Sequence, residues 1–431
     1  MIKFERLQVD GWRQYADINL PMHPRLTIIT GANGAGKSTL LSLFSRHFGF
    51  NRSFLSTPIQ NKLGIISYSL GLFGWLNKRK PPPETHQRII GRIDYTNNAH
   101  TILALSNQQS IAYDVSMPAQ QEVIGVHIDS HRPPNMHRHV SQIPVSPMTF
   151  ETMSSNYTGE LRQHYISGGV NQGTLWHLKA ALLNMVIFGY GNIAMQPNQA
   201  LIDVFEGFQE KLREVLPAQI GFQKFAIRSP EIVLETRSGD FVIDAASGGV
   251  IKLIETTWQL YTFSLTNNSF VATMDEPENH LHPSMQRTFL ANLIAAFPNV
   301  QFIVVTHSPF VVSSVKDSNV FVLKYDDLEE VKEDLFGEQE PLMMPGPSSR
   351  VVSQMLDTVN KAGTASDILR EALGVPTTIP NWAEDRLQKI ISDYRHVPVT
   401  EDSLDKMYTQ MKSEGLLAEY PLAVNHLVSD R

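Results

Sequence analysis

A glycine-rich segment, GANGAGKSTL at residues 31–40, lies between the apolar run LTIIT and the helix-like run LSLF. The spacing of Gly31, Gly36, Lys37 and Ser38 fits the phosphate-binding P-loop, in which glycines let several backbone N–H groups point at one anion. We expect Lys37 to reach the β- and γ-phosphates and the Ser38 hydroxyl to ligate Mg²⁺. An ordinary strand-to-helix turn is the alternative, but the flanking strand and helix favour a nucleoside triphosphate site. The predicted nucleotide-binding residues of this loop are Asn33, Gly34, Ala35, Gly36, Lys37, Ser38 and Thr39.

Two further apolar runs end in polar residues that could act on a bound triphosphate. Residues 270–274 lead into Asp275 and Glu276, at the start of the sequence DEPENHLHP. An aspartate at the end of a strand can hold Mg²⁺, and a glutamate beside it can act as general base toward water. The run QFIVVTHSP places His307 at the end of another strand. We predict Glu276 as the catalytic base and His307 as a switch residue for the γ-phosphate; an acidic loop and a structural histidine are the alternatives.

A second small-residue turn precedes a helical run further along the chain. The segment DAASGGV places Ser247, Gly248 and Gly249 just before IKLIETTWQL. A helix N-terminus of this kind is again an anion cradle, yet one nucleotide fills only one cradle. In ABC-type ATPases the second cradle closes over the nucleotide of the partner subunit. We therefore expect these residues to act in trans, within at least a head-to-tail dimer; a plain turn is the alternative.

The order of these motifs resembles the ABC ATPase core shared by the SMC, RecF and overcoming-lysogenization-defect (OLD) proteins, over residues 1 to about 325. The resemblance implies ATP and Mg²⁺ as ligands and hydrolysis of ATP to ADP and phosphate. The opening LQVDGWRQYADINL is similar to the first hairpin of that group, where an arginine in the position of Arg13 helps to bind phosphate. The signature departs from the usual pattern, because Ala246 replaces leucine and Val250 stands where Gln, Glu or Lys is usual.

The elements that must position these residues predict an α/β fold. We expect an ABC-type P-loop ATPase head with an antiparallel β subdomain, a helical insertion and a helical C-terminal region. Residues 87–115 hold short β-like runs separated by Asn-rich turns, and residues 155–217 have a helical pattern without the heptads of a coiled coil. The predicted domains are an N-lobe at 1–125, a mainly helical insertion at 126–235, a C-lobe at 236–325, and an acidic connector with a helical partner-binding tail at 326–431.

Two polar segments leave open assignments. The segment HIDSHRPPNMHRHVSQ, residues 127–142, follows the strand-like run VIGVHI. Gln142 is a candidate Q-loop ligand of Mg²⁺, whereas a metal site among the histidines lacks a paired spacing or carboxylate pair in the sequence. The basic, Pro-rich loop NKRKPPPETH is either solvated or a contact for nucleic acid.

Composition limits the remaining classes. The 431 residues suffice for two or three domains, and they include no cysteine, which excludes disulfides, thiol catalysis and Cys-ligated zinc and suits a reducing cytosol. The start MIKFERLQVDGW is too charged for a signal peptide, and the apolar run in AALLNMVIFGYG is too short to cross a membrane. A net charge of −7 gives no global basic surface for nucleic acid. We expect a cytoplasmic protein without a membrane partner.

The tail distinguishes between relatives of the OLD group. OLD-type nucleases continue into a Toprim domain with an Asp-x-Asp metal pair, which the tail lacks. Its apolar residues instead fall on helical faces: Leu387, Ile390, Ile391 and Tyr394, then Leu404, Met407, Tyr408 and Met411 behind an N-cap at Thr400. An OLD-like ATPase with the tail TASDILREALGVPTTIPNWAE resembles PtuA, the ATPase subunit of Septu-type antiphage systems, which are sometimes found in retron operons.

The resemblance implies a sensor and scaffold that holds an HNH nuclease partner through the C-terminal tail and has no nuclease site of its own. A RecF-like DNA-repair ATPase that binds DNA directly is the alternative. A transporter subunit is the weakest reading, because 209 residues separate Lys37 from Ala246. An HNH protein encoded by the neighbouring gene would favour the first reading, and a replication-repair cluster the second.

Overall fold

The computed structural model describes the chain in several stretches, which are residues 1–60, 66–69, 87–106, 110–133, 137–142, 145–327, 349–357, 365, 368–369, 380–395 and 397–429. The chain divides into two compact units, Met1–Ile368 and Leu369–Arg431. The basic loop at residues 77–86 and most of the predicted acidic connector lie outside the described residues, as does most of the tail segment before residue 380.

The first unit alternates strands with helices. Its strands are β1 (Phe4–Val9), β2 (Tyr15–Pro21), β3 (Leu26–Gly31), β4 (Phe54–Leu55), β5 (Thr57–Gln60), β6 (Ile66–Ser69), β7 (Gln87–Tyr95), β8 (His100–Ser106), β9 (Ala112–Tyr113), β10 (Val115–Ser116), β11 (Gly125–Ile128), β12 (Phe222–Arg228), β13 (Glu231–Thr236), β14 (Phe241–Val242), β15 (Phe270–Asp275), β16 (Val300–Val305), β17 (Asn319–Asp327) and β18 (Ser349–Met355). Its helices are α1 (Lys37–Ser45), α2 (Phe150–Ser167), α3 (Thr174–Tyr190), α4 (Gln199–Val215), α5 (Gly248–Ser264), α6 (Pro283–Ala296) and α7 (Pro309–Val312).

One large mixed sheet dominates this unit. Within the described residues its strand order is β10-β8-β7-β1-β2-β18-β17-β3-β16-β15-β11. Neighbouring strands from β17 through β3, β16 and β15 to β11 run parallel, and β3, β15 and β16 are buried along their whole length. Parallel strands buried on both faces read as continuous apolar runs, as these do. Because parallel strands end at the same edge, the residues that follow β3, β11, β15 and β16 meet there.

The predicted α/β fold class is confirmed, with one change to the antiparallel part. Strands β7, β8 and β10 form antiparallel pairs as expected, but β7 also pairs with β1, so they extend the main sheet instead of forming a separate one. Helices α2, α3 and α4 account for the helical insertion, and a three-stranded sheet, β12-β13-β14, follows them. Within the described part of the chain, no helix combines the length and apolar character needed to cross a membrane.

The structure moves the end of the ATPase unit beyond the predicted boundary at residue 325. Strand β18 lies in the main sheet, antiparallel to β17 and parallel to β2, and its Val351 is fully buried. The predicted boundary was too early because an acidic segment separates β17 from β18 in the sequence. The other partner of β18 is β2, which lies near the start of the chain, so no local pattern indicates this pairing. Only from Leu369 onward does the chain form its own unit.

The second unit is helical, as predicted. Its helices are α8 (Asn381–Tyr394), α9 (Glu401–Ser413) and α10 (Tyr420–Ser429). They enclose a small apolar core that contains Ala383, Leu387, Ile390, Ile391, Met407, Met411, Leu416, Ala423 and Leu427. Thr400 caps α9 by accepting a hydrogen bond from the Ser403 backbone N–H, and Ser403 reciprocates in a capping box. Tyr408 is exposed over 41% of its surface, unlike the other predicted core residues of α9.

Two truncations test the revised boundary. Ending the chain after residue 340 removes β18 and leaves β2 and β17 without a shared neighbour, so we expect the melting temperature to fall by at least about 5 °C. Ending it after residue 368 keeps the first unit whole and should preserve cooperative melting and ATP binding. Thermal melting with and without ATP measures both, and equal melting of the two truncated chains would contradict the placement of β18.

Candidate functional site

The P-loop is held in shape by glycine conformations and by the hairpin of β1 and β2. Gly31 has a φ of 139°, and a Cβ there would lie 2.4 Å from the Leu323 carbonyl oxygen. Gly36 has a φ of 91°, and a Cβ there would lie 2.1 Å from the Tyr15 hydroxyl. That hydroxyl donates a hydrogen bond to the Gly36 carbonyl at 2.7 Å. A larger residue at either glycine would therefore displace the loop.

Lys37 lies at the start of α1 and is buried inside the loop. Its Nζ donates hydrogen bonds to the carbonyls of Gly31 (3.0 Å) and Ala32 (2.9 Å). Burial lowers the pKa of Lys37 to about 8, although the carboxylates of Glu276 and Asp275 favour its charged form. The nearby carboxylates thus do not fully offset the cost of burying the charged ammonium, and a bound phosphate would add the missing negative charge.

Ser38 and Asp275 meet where the sequence predicts a magnesium site. The Ser38 hydroxyl donates to Asp275 Oδ1 at 3.1 Å, which joins the P-loop to the end of β15. Burial raises the pKa of Asp275 to about 6; the Ser38 hydrogen bond opposes this rise, and the neighbouring Asp129 carboxylate adds to it. A hydroxyl and a carboxylate are hard oxygen ligands that suit Mg²⁺. A divalent cation would relieve the repulsion among these buried carboxylates.

Asp129 is a candidate ligand that the sequence reasoning missed. It follows β11 directly and lines the same cavity as Ser38 and Asp275, and burial raises its pKa. Gln142, the predicted Q-loop residue, is exposed and is not among the residues lining that cavity. The rule that identified Asp275, a polar residue at the end of an apolar strand, would also have identified Asp129 after VIGVHI.

Glu276 and His307 form a pair at the ends of β15 and β16. Glu276 Oε1 lies 3.4 Å from His307 Nε2, and Asn279 Nδ2 donates to Glu276 Oε2 at 2.9 Å. The backbone of Glu276 has a φ of 42°, an uncommon conformation for a residue with a side chain. Burial and the charge of Lys37 lower the pKa of His307, while Glu276 opposes this shift. A mostly neutral imidazole beside a glutamate is suited to positioning water and phosphate oxygens.

Glu278 is a second residue that the sequence reasoning did not assign. It is buried, and its Oε1 accepts hydrogen bonds from the Thr306 hydroxyl and, at 3.2 Å, from the His307 backbone N–H. Burial raises the pKa of its carboxyl. Glu278 therefore positions the chain segment that carries His307. The second glutamate of DEPE was its only signal in the sequence.

A cavity of about 410 Å³ lies beside this group. Ser38, Thr39 and Asp275 line it on one side, and Arg52 and His164 are among the residues around the rest. Its volume falls in the range typical of small-molecule sites, roughly 300–1,000 Å³. The cavity therefore extends the polar edge of the sheet into a space that can hold a ligand.

The predicted signature residues lie at the N-terminus of α5. Ser247 and Gly248 are exposed, whereas Gly249 is buried and packs so tightly that a Cβ there would lie 2.7 Å from the His280 carbonyl oxygen. Val250 is only 7% exposed, so its side chain belongs to the core. The departure from the usual signature at Val250 therefore leaves the exposed part of the cradle unchanged.

Arg13 lies beside the site but is held by other groups. Its Nη2 donates to the Leu55 carbonyl at 3.0 Å, and its guanidinium lies 5.7 Å from the ring centroid of Phe54. Phe54 in turn lines the cavity. Contact between Arg13 and phosphate remains a prediction.

Two family models match separate parts of the chain. The model described as "AAA domain" matches residues 6–51, and the model described as "AAA domain, putative AbiEii toxin, Type IV TA system" matches residues 231–313. The first segment contains the P-loop, and the second contains the signature, Asp275, Glu276 and His307. These two segments thus match AAA-family ATPase domains.

Two curated relatives match over short stretches. The Retron Ec83 probable ATPase of Escherichia coli is 43% identical over 54 residues, which are 12% of this chain and 10% of the relative. The Retron Vc95 probable ATPase of Vibrio cholerae serotype O1 biovar El Tor is 39% identical over 57 residues, or 13% and 11% of the two chains. The aligned part thus spans about a tenth of each relative's length.

Solved structures of SMC head domains are similar over more of the chain. The head domain from Thermotoga maritima covers 75% of this chain and 95% of its own, with 14% identity and a TM-score of 0.38. That of Pyrococcus yayanosii, with a coiled coil and joint, covers 86% and 100%, with 13% identity and a TM-score of 0.43.

Lys37 gives ATP binding a pH dependence of defined sign. Without nucleotide its pKa is about 8, and bound phosphates favour the charged form, so binding should raise this pKa and take up a proton above about pH 8. We expect the protonation equilibrium of Lys37 to make the association constant fall by up to about tenfold per unit above about pH 8. Titration calorimetry in two buffers of different ionisation enthalpy measures the uptake. No uptake near about pH 8.5 would contradict the placement of Lys37.

Glu276→Gln tests the predicted base. The amide cannot accept the proton of water, so we expect turnover to fall by at least about 100-fold while ATP affinity is kept. Phosphate release and equilibrium ATP binding measure the two effects. Glu214→Gln, on the exposed face of α4, is the matched control and should behave as the parent. Parental turnover by Glu276→Gln would place the base elsewhere.

Proposed function

We propose that this chain binds and hydrolyses ATP with Mg²⁺ at the polar edge of its main sheet. The observation that carries the proposal is the meeting of buried Lys37, the Ser38–Asp275 pair and the Glu276–His307 pair at the ends of β3, β15 and β16. In this arrangement Lys37 neutralises the phosphates, Ser38 and Asp275 hold the cation, and Glu276 orients and deprotonates water. The two AAA-domain matches support the same activity.

The complete site is proposed to form between two copies of the chain. Ser247 and Gly248 present an exposed helix N-terminus, while Gly249 fixes that terminus against His280 in the loop that follows Asp275 and Glu276. An exposed helix N-terminus is open to an anion from outside its own fold, and the triphosphate of a second copy is such an anion. ATP should therefore favour a head-to-tail dimer, because it binds the closed state preferentially.

The biological setting is proposed to be antiphage defence in the cytoplasm. Support comes from the two partial matches to retron probable ATPases and from the resemblance of the tail sequence TASDILREALGVPTTIPNWAE to the ATPase subunit of Septu-type systems. In that setting the chain acts as a sensor and scaffold that holds an HNH nuclease in check. The second unit is the proposed docking region, because Trp382 on α8 is 70% exposed, and exposed tryptophans are enriched at protein interfaces.

Mixing two inactive variants tests the composite site. Lys37→Ala removes the P-loop charge, and Ser247→Arg blocks the cradle, so each homodimer should be inactive. A mixed dimer keeps one of its two sites free of both changes, so we expect up to about half of the parental rate per mixed dimer, or about a quarter overall when the chains mix at random. Phosphate release after co-refolding or co-expression measures the recovery. No recovery with mixed dimers shown to form would contradict independent composite sites.

Removal of the second unit tests the docking region. Co-expression with an HNH protein, if the neighbouring gene encodes one, should give a complex with the full chain and none with the chain ended after residue 368. Trp382→Ser should weaken the complex by at least about tenfold, which is the usual cost of losing an interface tryptophan. Ile89→Ser, an equally exposed apolar position on β7, is the matched control. A shortened chain that still retains the nuclease would refute the assignment, and DNA-stimulated ATP hydrolysis without any nuclease complex would favour the RecF-like alternative.

A further inference from the structure

Two histidines and a glutamate converge outside the ATP site. His139 Nδ1 lies 2.9 Å from Glu231 Oε1, and His137 Nε2 lies 3.8 Å from the same oxygen. One donor atom from each of the three residues falls within 4.8 Å of the others. The sequence showed no carboxylate pair or paired spacing among the histidines, but the fold brings the Glu231 carboxylate to them from the start of β13.

The cluster is supported by the buried Glu231 Oε2 atom and by hydrogen bonds from helix α3. Glu231 Oε2 is buried and has no hydrogen-bond partner. Trp176 Nε1 donates to the His139 carbonyl at 3.3 Å, and Lys179 Nζ donates to the Arg138 carbonyl at 2.8 Å. Helix α3 thus holds the backbone from which both imidazoles project, which reduces the cost of ordering them around a ligand.

We propose that His137, His139 and Glu231 bind one divalent transition metal of the Zn²⁺ class. Two imidazoles and a carboxylate are ligands that zinc accepts, whereas Mg²⁺ prefers oxygen alone. Ligands of a tetrahedral zinc lie roughly 3.3 Å apart, a value between the two imidazole–carboxylate distances here. Both imidazoles are at least half exposed, so they can adjust by rotation and leave a fourth position for water.

The metal would join two segments next to the chain that leads into the signature. His137 Nδ1 lies 3.4 Å from Asp244 Oδ1, and Asp244 also accepts hydrogen bonds from Lys179 Nζ at 2.9 and 3.0 Å. Asp244 precedes Ser247 by three residues. A bound ion would link the segment 137–139 to β13 beside the chain that leads into α5. This inference does not depend on ATP hydrolysis.

Metal binding by the full chain, without nucleotide or Mg²⁺, tests the proposal. After treatment with chelator and its removal, the protein should bind one equivalent of Zn²⁺, and Co²⁺ should give the visible absorption of a low-coordinate nitrogen and oxygen site, since no thiolate is present. Zinc should also raise the melting temperature by several degrees. Absence of binding at about 10 µM free Zn²⁺, a concentration that should saturate a dedicated protein site, would overturn the proposal.

Variants assign the ligands. Glu231→Gln, which preserves side-chain volume, and His139→Ala should each weaken zinc binding by more than about 100-fold, beyond the effect of losing an outer partner of a ligand. His177→Ala is the matched control, because His177 pairs with Glu160 at 3.3 Å as an imidazole–carboxylate pair outside the cluster. Asp275→Asn should also still bind one equivalent of Zn²⁺. Zinc binding at the parental affinity by Glu231→Gln would overturn the proposal, provided that melting in the presence of chelator shows this variant to be folded. Loss of the bound zinc in Asp275→Asn would assign the ion to the P-loop region and would also overturn the proposal.

Discussion

The central feature of the candidate site is that a lysine and several carboxylates lie close together at one edge of a buried parallel sheet. Strands β3, β11, β15 and β16 end together, so Lys37 and several carboxylates share a space with little water. Burial pulls the pKa of Lys37 down and that of Asp275 up, which shows that neither charge is fully compensated by the protein. An anion paired with a divalent cation fits this arrangement, because each supplies the charge that one set of side chains lacks. A triphosphate with Mg²⁺ has this character.

The same edge is joined mechanically to the signature helix. Lys252 on α5 lies with its Nζ 3.4 Å from the backbone carbonyls of both Glu276 and Ser130. Gly249, on the same helix, approaches the His280 backbone too closely for any side chain. In the proposed dimer, a displacement of α5 would therefore be transmitted to the backbone of Glu276. These contacts offer a physical route by which the proposed dimer formation could affect the proposed hydrolysis.

Local patterns predicted the parts of the site that a single strand and its following turn encode. The P-loop, Asp275 and His307 each follow an apolar run, so their convergence could be predicted once those strands were taken as parallel. Asp129 also directly follows an apolar run, but the expectation of a Q-loop glutamine led to the prediction of Gln142 as the Mg²⁺ ligand. Glu278 gave too weak a signal, because its role lies in hydrogen bonds to Thr306 and His307 that only the fold brings within reach.

Long-range pairing accounts for the rest of what the sequence did not predict. Strand β18 is separated from β2 by more than 300 residues, and Glu231 comes from the β12-β13-β14 sheet, whereas the histidines it contacts lie in a segment outside any strand or helix. Val250 differs from the usual signature residue, but its burial shows that the change affects the core of α5 and not its exposed end. Such features follow from which surfaces meet, and a residue pattern read along one chain segment does not contain that information.

Equilibrium binding of labelled ATP with Mg²⁺ to Lys37→Ala tests the central claim most directly. Lys211→Ala, which changes a partly exposed lysine on α4 away from the sheet edge, is the matched control. Removal of the buried ammonium leaves the phosphates without their main counter-charge, so we predict that Lys37→Ala loses ATP affinity by at least about 100-fold while Lys211→Ala binds as the parent. Unchanged ATP affinity in folded Lys37→Ala would contradict the assignment of this sheet edge as the nucleotide site.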